Sequence, residues 1–281
     1  MPPPPQRSAP IGVFDSGVGG LTVLHELLVA LPQEDFLYLG DSARFPYGER
    51  TPSELRAFSC QIADVLLERG AKVLVVACNS ATSSALPELQ AYVAAGGWAV
   101  DVIGVVGPES NLAVASTRNG RIGLLATPAT VASRAYERAV LAADPLVRLT
   151  SVASARLAQI SQTGAPITEE DVELVRTYCA PLRSAGVDTA ILGCTHYPFV
   201  RALLQRVLGP QVTLITPGTA IARRVQHALD ARDLATTGRG EGAYAFLCTG
   251  DAAAFAAIGT RFLQLPMADV EPVELALEAL A

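Results

Sequence analysis

The chain has 281 residues, of which 50% are hydrophobic and 17% charged, and its formal net charge at pH 7 is -6. This composition supports a large packed core and excludes an intrinsically disordered chain. The acidic balance, without a cluster of Lys or Arg, argues against a nucleic-acid partner. The short, interrupted apolar runs argue against a membrane-spanning segment.

The N-terminal segment MPPPPQRSAP, residues 1–10, is rich in proline and lacks the apolar stretch of a signal peptide. We therefore expect a disordered leader and a cytoplasmic protein. The five cysteines of the chain fit that compartment as reduced thiols rather than as a disulfide framework.

From Ile11 onward, apolar runs alternate with helix-like segments. PIGVFDSG precedes LTVLHELLVAL, and DFLYLGD precedes PSELRAFSCQIADVLLERG, while KVLVVAC and VDVIGVVGP each precede a further helical pattern. The runs are continuously apolar instead of alternating, which is typical of parallel strands buried on both faces. The predicted fold class is α/β, with mainly parallel sheets flanked by helices.

The second half of the chain repeats the order of the first. IGLLATPATV matches IGVFDSGVGG, TAILGCTHYP matches VLVVACNSAT, and VTLITPGTAIARRV matches VDVIGVVGPESNLAV. We predict two similar domains related by pseudo-symmetry, with the active site in the cleft between them, because ligands bind beyond the carboxyl ends of parallel strands. The predicted domains are residues 1–102 plus 212–281, and residues 103–211.

Two cysteines occupy matching positions in this repeat. Cys78 and Cys194 each follow a predicted strand and precede a helix-like segment. The positive end of a helix lowers a thiol pKa to about 3.5–7.5, so we expect two reactive thiols. Structural roles are expected for Cys60 and Cys179, which lie in helix-like stretches, and for Cys248.

Four chemical uses of these thiols remain open from the residues alone. A zinc site would add His196, but no Cys-x-x-Cys spacing or second histidine supports it. A Cys–His hydrolase would use Cys194 and leave Cys78 idle. A redox pair is the third use. The fourth is a two-base proton transfer, in which the thiols act on opposite faces of one carbon and invert an α-amino acid.

The only lysine, Lys72, precedes the strand of Cys78 and is expected at the end away from the cleft. A pyridoxal phosphate Schiff base is therefore disfavoured, and a route without a cofactor is predicted. Such a route needs oriented donors for a developing carbanion, which the Gly-rich FDSGVGG segment is suited to supply. In it, Asp15 is a candidate acceptor for a substrate ammonium and Ser16 a candidate donor, with helix capping as the alternative role.

Six segments in order resemble the aspartate/glutamate racemase superfamily, and within it the racemases of glutamate: IGVFDSGVGGLTV, GDSARFPYG, VVACNSATS, ATPATV, LGCTHYP and FLCTGDAAAF. The resemblance implies interconversion of L- and D-glutamate without cofactor or metal, supplying D-glutamate for peptidoglycan, and a homo-oligomer, expected to be a dimer. Cys78 and Cys194 would be catalytic, the first acting on the D- and the second on the L-enantiomer. The implied substrate-binding residues are Asp15, Ser16, Tyr47, Gly48, Asn79, Ser80, Thr195 and His196, with Thr127 and Thr130 as further contacts.

The sequence departs from the family pattern at two positions. Ser80 stands where the family usually has threonine, and the hydroxyl is kept. Gln162 aligns where a glutamate that assists the second cysteine is common, so that assistance falls to His196 or is missing. The alternatives are a racemase of the same superfamily acting on another acid such as aspartate, a Cys–His amidohydrolase, and a two-lobed amino-acid-binding module.

Overall fold

The computed structural model describes residues 2–216, 218–238, 240–267 and 269–275. Its strands are β1 (Ile11–Asp15), β2 (Phe36–Gly40), β3 (Val73–Val76), β4 (Asp101–Gly104), β5 (Arg121–Ala126), β6 (Arg148–Ala153), β7 (Thr189–Gly193), β8 (Thr213–Ile215), β9 (Tyr244–Cys248) and β10 (Val270–Pro272). Its α-helices are α1 (Leu21–Ala30), α2 (Pro52–Glu68), α3 (Asn79–Ala95), α4 (Val106–Ser116), α5 (Pro128–Ser133), α6 (Ala135–Ala143), α7 (Leu157–Thr163), α8 (Glu169–Ser184), α9 (Arg201–Leu208), α10 (Gly218–Ala231) and α11 (Ala252–Leu263).

The strands form two parallel sheets that share one topology. The larger sheet has the order β10-β9-β2-β1-β3-β4, and the smaller has the order β6-β5-β7-β8. The central part of the first, β2-β1-β3-β4, corresponds strand for strand to the whole of the second. The predicted α/β fold class with two similar halves is confirmed, and each predicted sequence pair falls on equivalent strands.

The central strands are buried on both faces because helices cover both sides of the sheet. Val13 and Val75 belong to one apolar cluster, which includes Leu24 of α1. Their neighbours Phe14 and Val76 point the other way, into a cluster with helix α2. This alternation explains why the strands read as continuous apolar runs in the sequence.

The predicted domain boundaries do not coincide with the sheets. The boundary after residue 102 falls inside β4, which pairs with β3 along its whole length. The boundary before residue 212 assigns β8 to the first domain, yet β8 pairs with β7 of the smaller sheet. By strand pairing, the transitions lie after Gly104 and after Ile215, where β4 and β8 end.

The leader contains no helix or strand within residues 2–10, but its end is not free. The carbonyl oxygen of Arg7 accepts hydrogen bonds from Lys72 Nζ at 2.5 Å and from Thr236 Oγ1 at 2.9 Å. The predicted disordered leader is thus held by hydrogen bonds at Arg7, where the buried Lys72 ammonium needs an acceptor. Lys72 also pairs with Glu34 at 2.5 Å, at the end of β3 opposite Cys78, as predicted. No helix in the described ranges is long and apolar enough to cross a bilayer.

Candidate active site

A small cavity lies where the carboxyl ends of the two sheets face each other. It offers about 20 Å³ of free volume, enough for a water molecule but not for an amino acid. Of the residues singled out from the sequence, it is lined by Ser16, Tyr47, Gly48, Cys78, Asn79, Ser80, Thr127, Cys194, Thr195 and His196. Both halves of the chain thus contribute to one site.

The two thiols reach this cavity from equivalent positions. Cys78 is the N-cap of α3, directly beyond β3, and its sulfur accepts a hydrogen bond from the Ala81 N–H at 3.5 Å. Cys194 directly follows β7, and its sulfur receives the backbone N–H of His196. They are 4% and 7% exposed, so each faces an enclosed space.

The expectation of lowered thiol pKa values is wrong for this closed arrangement. Burial raises the pKa of Cys78 to about 12, and the nearby Asp15 carboxylate adds to the rise. Burial likewise raises the pKa of Cys194. The backbone N–H groups act in the predicted direction, but desolvation outweighs them, so both thiols hold their protons in this closed arrangement.

Asp15 lies behind the cavity wall, at the end of β1. Its Oδ2 accepts hydrogen bonds from the N–H groups of Gly17 at 3.2 Å and Gly20 at 3.0 Å. Two N–H groups of the Gly-rich segment therefore donate to this carboxylate. The sequence pattern predicts a different role for these groups, the stabilisation of the developing carbanion. Burial raises the pKa of Asp15 to about 6, and the carboxyl also contacts the Cys78 thiol.

His196 connects Cys194 to Gln162. Its Nε2 lies 3.0 Å from Gln162 Oε1, and its Nδ1 lies 3.9 Å from Cys194 Sγ. Because an amide oxygen only accepts, Nε2 carries the proton and Nδ1 presents a lone pair to the thiol. Burial lowers the pKa of His196 to about 3, so the ring is neutral. Arg261 of α11 donates to the Gln162 carbonyl oxygen at 2.8 Å and holds this segment against the other half.

Hydroxyl groups from both halves meet at the opposite side of the cavity. Ser80 Oγ lies 2.9 Å from Thr127 Oγ1 and 3.3 Å from Thr130 Oγ1. Thr127 caps the N-terminus of α5, where its side chain accepts from the Thr130 N–H. Ser80 and Thr127 line the cavity, and their rotatable hydroxyls can both donate to one carboxylate. Ser80 therefore keeps the donor that a threonine would supply.

The loop that carries Tyr47 and Gly48 closes the cavity from above. A Cβ at Gly48 would lie 2.7 Å from the Thr127 Cβ, so only glycine permits this approach. Tyr47 is 1% exposed and donates its hydroxyl to Asp41, which Arg44 also contacts at 2.6 Å. Asp41 and Arg44 were not identified from the sequence, although GDSAR is part of a motif.

Two further buried polar residues adjoin the site and carry no sequence signal. Glu109 of α4 and Tyr136 of α6 both contact the Asn79 amide. Burial raises the pKa of Glu109 to about 8. Each stands alone in an ordinary helical segment, so only the three-dimensional arrangement reveals them. Among the described residues, no three His, Cys, Asp or Glu side chains are grouped to hold a metal ion.

Comparisons with known proteins agree with this architecture. Residues 13–225 match the model of the Asp/Glu/hydantoin racemase family. A glutamate racemase of Saccharopolyspora erythraea is 43% identical over 255 residues, which cover 91% of this chain and 92% of that protein.

Solved structures of glutamate racemases share the fold of this chain. A glutamate racemase of Bacillus anthracis superposes with a TM-score of 0.90 at 33% identity, covering 96% of this chain and 99% of that one. A Francisella tularensis glutamate racemase in complex with D-glutamate superposes with a TM-score of 0.88 at 30% identity, covering 95% and 98%.

Proposed function

Because the chain belongs to the Asp/Glu/hydantoin racemase family, we propose that this isomerase interconverts L- and D-glutamate by proton transfer between Cys78 and Cys194. The reaction uses no cofactor and supplies D-glutamate for peptidoglycan in the cytoplasm. One observation carries the mechanism: thiols at the ends of equivalent strands line the same cavity. A hydrolase or a binding module would need only one such thiol or none.

In the reaction, one cysteine acts as base and the other as acid. Cys78 as thiolate takes the α-proton of D-glutamate, leaving a carbanion, and the Cys194 thiol gives its proton to the opposite face. The product is L-glutamate, with Cys194 now the thiolate, and the reverse reaction exchanges the roles. Each step transfers one proton, so no oxidant or second substrate is needed.

Each thiol has a neighbour that can accept its proton before the reaction. Asp15, with a pKa of about 6, contacts Cys78 and can accept the proton of that thiol. The His196 Nδ1 lone pair faces Cys194 and can accept the proton of the Cys194 thiol. An incoming substrate ammonium also favours a thiolate, since opposite charges in a dry site attract strongly.

Polar side chains of the cavity are suited to bind the substrate. The hydroxyls of Ser80 and Thr127, which line the cavity, supply donors for a carboxylate, and this preorganised pair limits the cost of charge developing beside the α-carbon. The curated relatives at about 40% identity carry the name glutamate racemase, which favours glutamate over aspartate as substrate. Assembly as a homodimer and the absence of a nucleic-acid partner are part of the same proposal.

The test uses dialysed protein with L-glutamate and no added cofactor. The optical rotation should fall to zero without release of ammonia, and L-aspartate should react at least about 100-fold more slowly, as expected when a substrate of the wrong length misaligns the reacting carbon. Ammonia release would indicate a hydrolase, and unchanged optical rotation would contradict racemisation. Faster turnover of aspartate would establish the other substrate.

A further inference from the structure

Three buried side chains form a polar cluster that bridges the two halves beside the cavity. Asn79 stands at the start of α3 and next to Cys78, whereas Glu109 and Tyr136 come from α4 and α6 of the other half. Asn79 is 2% exposed, and the other two are fully buried. We call Asn79, Glu109 and Tyr136 the bridging cluster.

Hydrogen bonding in the bridging cluster uses every donor of the Asn79 amide. Its Nδ2 lies 3.2 Å from each carboxyl oxygen of Glu109 and 2.7 Å from Tyr136 Oη. An amide nitrogen has two N–H groups, so one is shared by the carboxyl group and the other points to the phenol oxygen. The Tyr136 hydroxyl donates in turn to Glu109.

The Asn79 carbonyl oxygen, in contrast, has no hydrogen-bond partner although it is buried. Asn79 lines the cavity that contains both thiols. A buried oxygen without a hydrogen-bond partner destabilises the folded protein, and proteins retain such an atom where a ligand can bind to it. Because Nδ2 is fixed on the far side, the oxygen is the only polar atom of this side chain that remains for a ligand.

We propose that Glu109 and Tyr136 are positioning residues that fix the Asn79 amide so that its carbonyl oxygen accepts a hydrogen bond from the α-ammonium of the substrate. This inference rests on the proposed function. At neutral pH the ammonium is the only hydrogen-bond donor of glutamate, since both carboxylates only accept. A rotated amide would instead present N–H groups to the ammonium and repel it.

The bridging cluster also explains how substrate binding and closure are coupled. The two acceptors of the Asn79 N–H groups come from the other half, so the amide is fixed only when the halves are together. The acceptor for the ammonium and the enclosed reaction space therefore form at the same time. This coupling keeps water away from the thiolate that the reaction requires.

The experiment compares ligands that differ only in the ammonium. Glu109→Gln places an amide against the Asn79 amide, and Tyr136→Phe removes one acceptor without changing the ring. In both variants the KM for D-glutamate should rise about 10-fold or more, the size expected when a hydrogen bond to a charged group is lost. The inhibition constant of glutarate, which lacks the ammonium, should change less than about 2-fold. Tyr92→Phe, which removes a surface hydroxyl bonded to Asp64, is the control and should match the unmodified protein.

Equal weakening of D-glutamate and glutarate would overturn the inference, because it would indicate a general structural role. Unchanged constants for both ligands would overturn it as well. If Glu109→Gln fails to fold, Tyr136→Phe provides the same comparison. Ligand-induced shifts of the melting temperature repeat the comparison without catalysis. Discrimination between the ligands is therefore measurable even if the chain does not racemise glutamate.

Discussion

The chemistry of the two thiols is determined by burial as much as by their partners. Desolvation raises the pKa of both cysteines, although each sulfur accepts a backbone N–H group. The helix position alone predicts the opposite direction. We therefore expect a thiolate to form only when a neighbour takes the proton and the substrate brings its positive charge.

Cys78→Ser and Cys194→Ser should each reduce racemisation about 10²- to 10⁴-fold, the usual contribution of one acid–base group. Serine keeps the size of the side chain but is a far weaker acid. Cys60→Ser, on the half-buried side of α2, is the control and should keep its activity. Polarimetry of L- and D-glutamate measures all three. Wild-type turnover by either variant would reject the role of that cysteine.

Gln162→Glu should introduce an acid limb in the pH profile. Burial keeps His196 neutral in the unmodified protein, whereas a carboxylate at 3.0 Å would stabilise the imidazolium and raise the pKa of His196 from about 3. Below the new pKa, Nδ1 is protonated and cannot accept the Cys194 proton. The measurement is kcat/KM from L-glutamate between pH 5 and 9, with the unmodified protein as reference. Superimposable profiles would contradict the assigned tautomer.

The loops that follow the strands set how closely the two halves approach. The turn with Gly48 rests on Thr127 at the start of α5, and Ser80 meets the same residue. These contacts leave only about 20 Å³ of free volume, so we expect glutamate to enter when the halves separate. Opening and closing would then be part of every turnover.

Gly48→Ala should hinder closure, since its Cβ would lie 2.7 Å from the Thr127 Cβ. We expect a rise of about 10-fold or more in KM together with a lower kcat, as is common when closure is disturbed. Gly107→Ala is the matched control, because an added Cβ there meets nothing within 4 Å. Steady-state kinetics of both variants provide the comparison. Equal kinetics for the two variants would show that contact at Gly48 does not control closure.

Much of the arrangement of strands and of the two cysteines can be predicted from the sequence. Continuous apolar runs such as VLVV predict strands buried on both faces, and the repeat predicts equivalent positions for Cys78 and Cys194. The predicted domain boundaries differ from the points where strand pairing changes, after β4 and after β8, because nothing in an apolar run marks where a sheet changes. Glu109 and Tyr136 were missed, since their partner Asn79 is distant in sequence and no local pattern connects them.

At the scale of the whole molecule, the buried ionisable groups beside the site, Glu109 and Asp15, also affect the stability of the fold. The pKa of Glu109 rises from 4.5 to about 8, so the folded state binds this proton more tightly than the unfolded state. Its contribution to stability is complete below about pH 4.5 and is lost as the pH rises through 8. The similar loss from Asp15 begins above pH 3.8 and is complete at about pH 6.

The free energy of unfolding should therefore decrease between about pH 7 and 8 in the unmodified protein. Glu109→Gln cannot titrate and should show a flatter curve, whereas Glu54→Gln, at an exposed helix start, should retain the slope. Urea unfolding at several pH values measures all three. The same slope in the Glu109 variant would assign the titration to another group.

The central claim, proton transfer between two thiols on opposite faces of one carbon, is tested most directly by isotope incorporation. L-glutamate is incubated in deuterated water, and both enantiomers are separated and analysed by mass spectrometry during the first turnovers. Because the donating thiol exchanges with solvent, the D-glutamate formed should carry deuterium at the α-carbon, while the remaining L-glutamate keeps its proton. D-glutamate that retains the proton of its precursor would contradict the account, since a single base would then remove and return it.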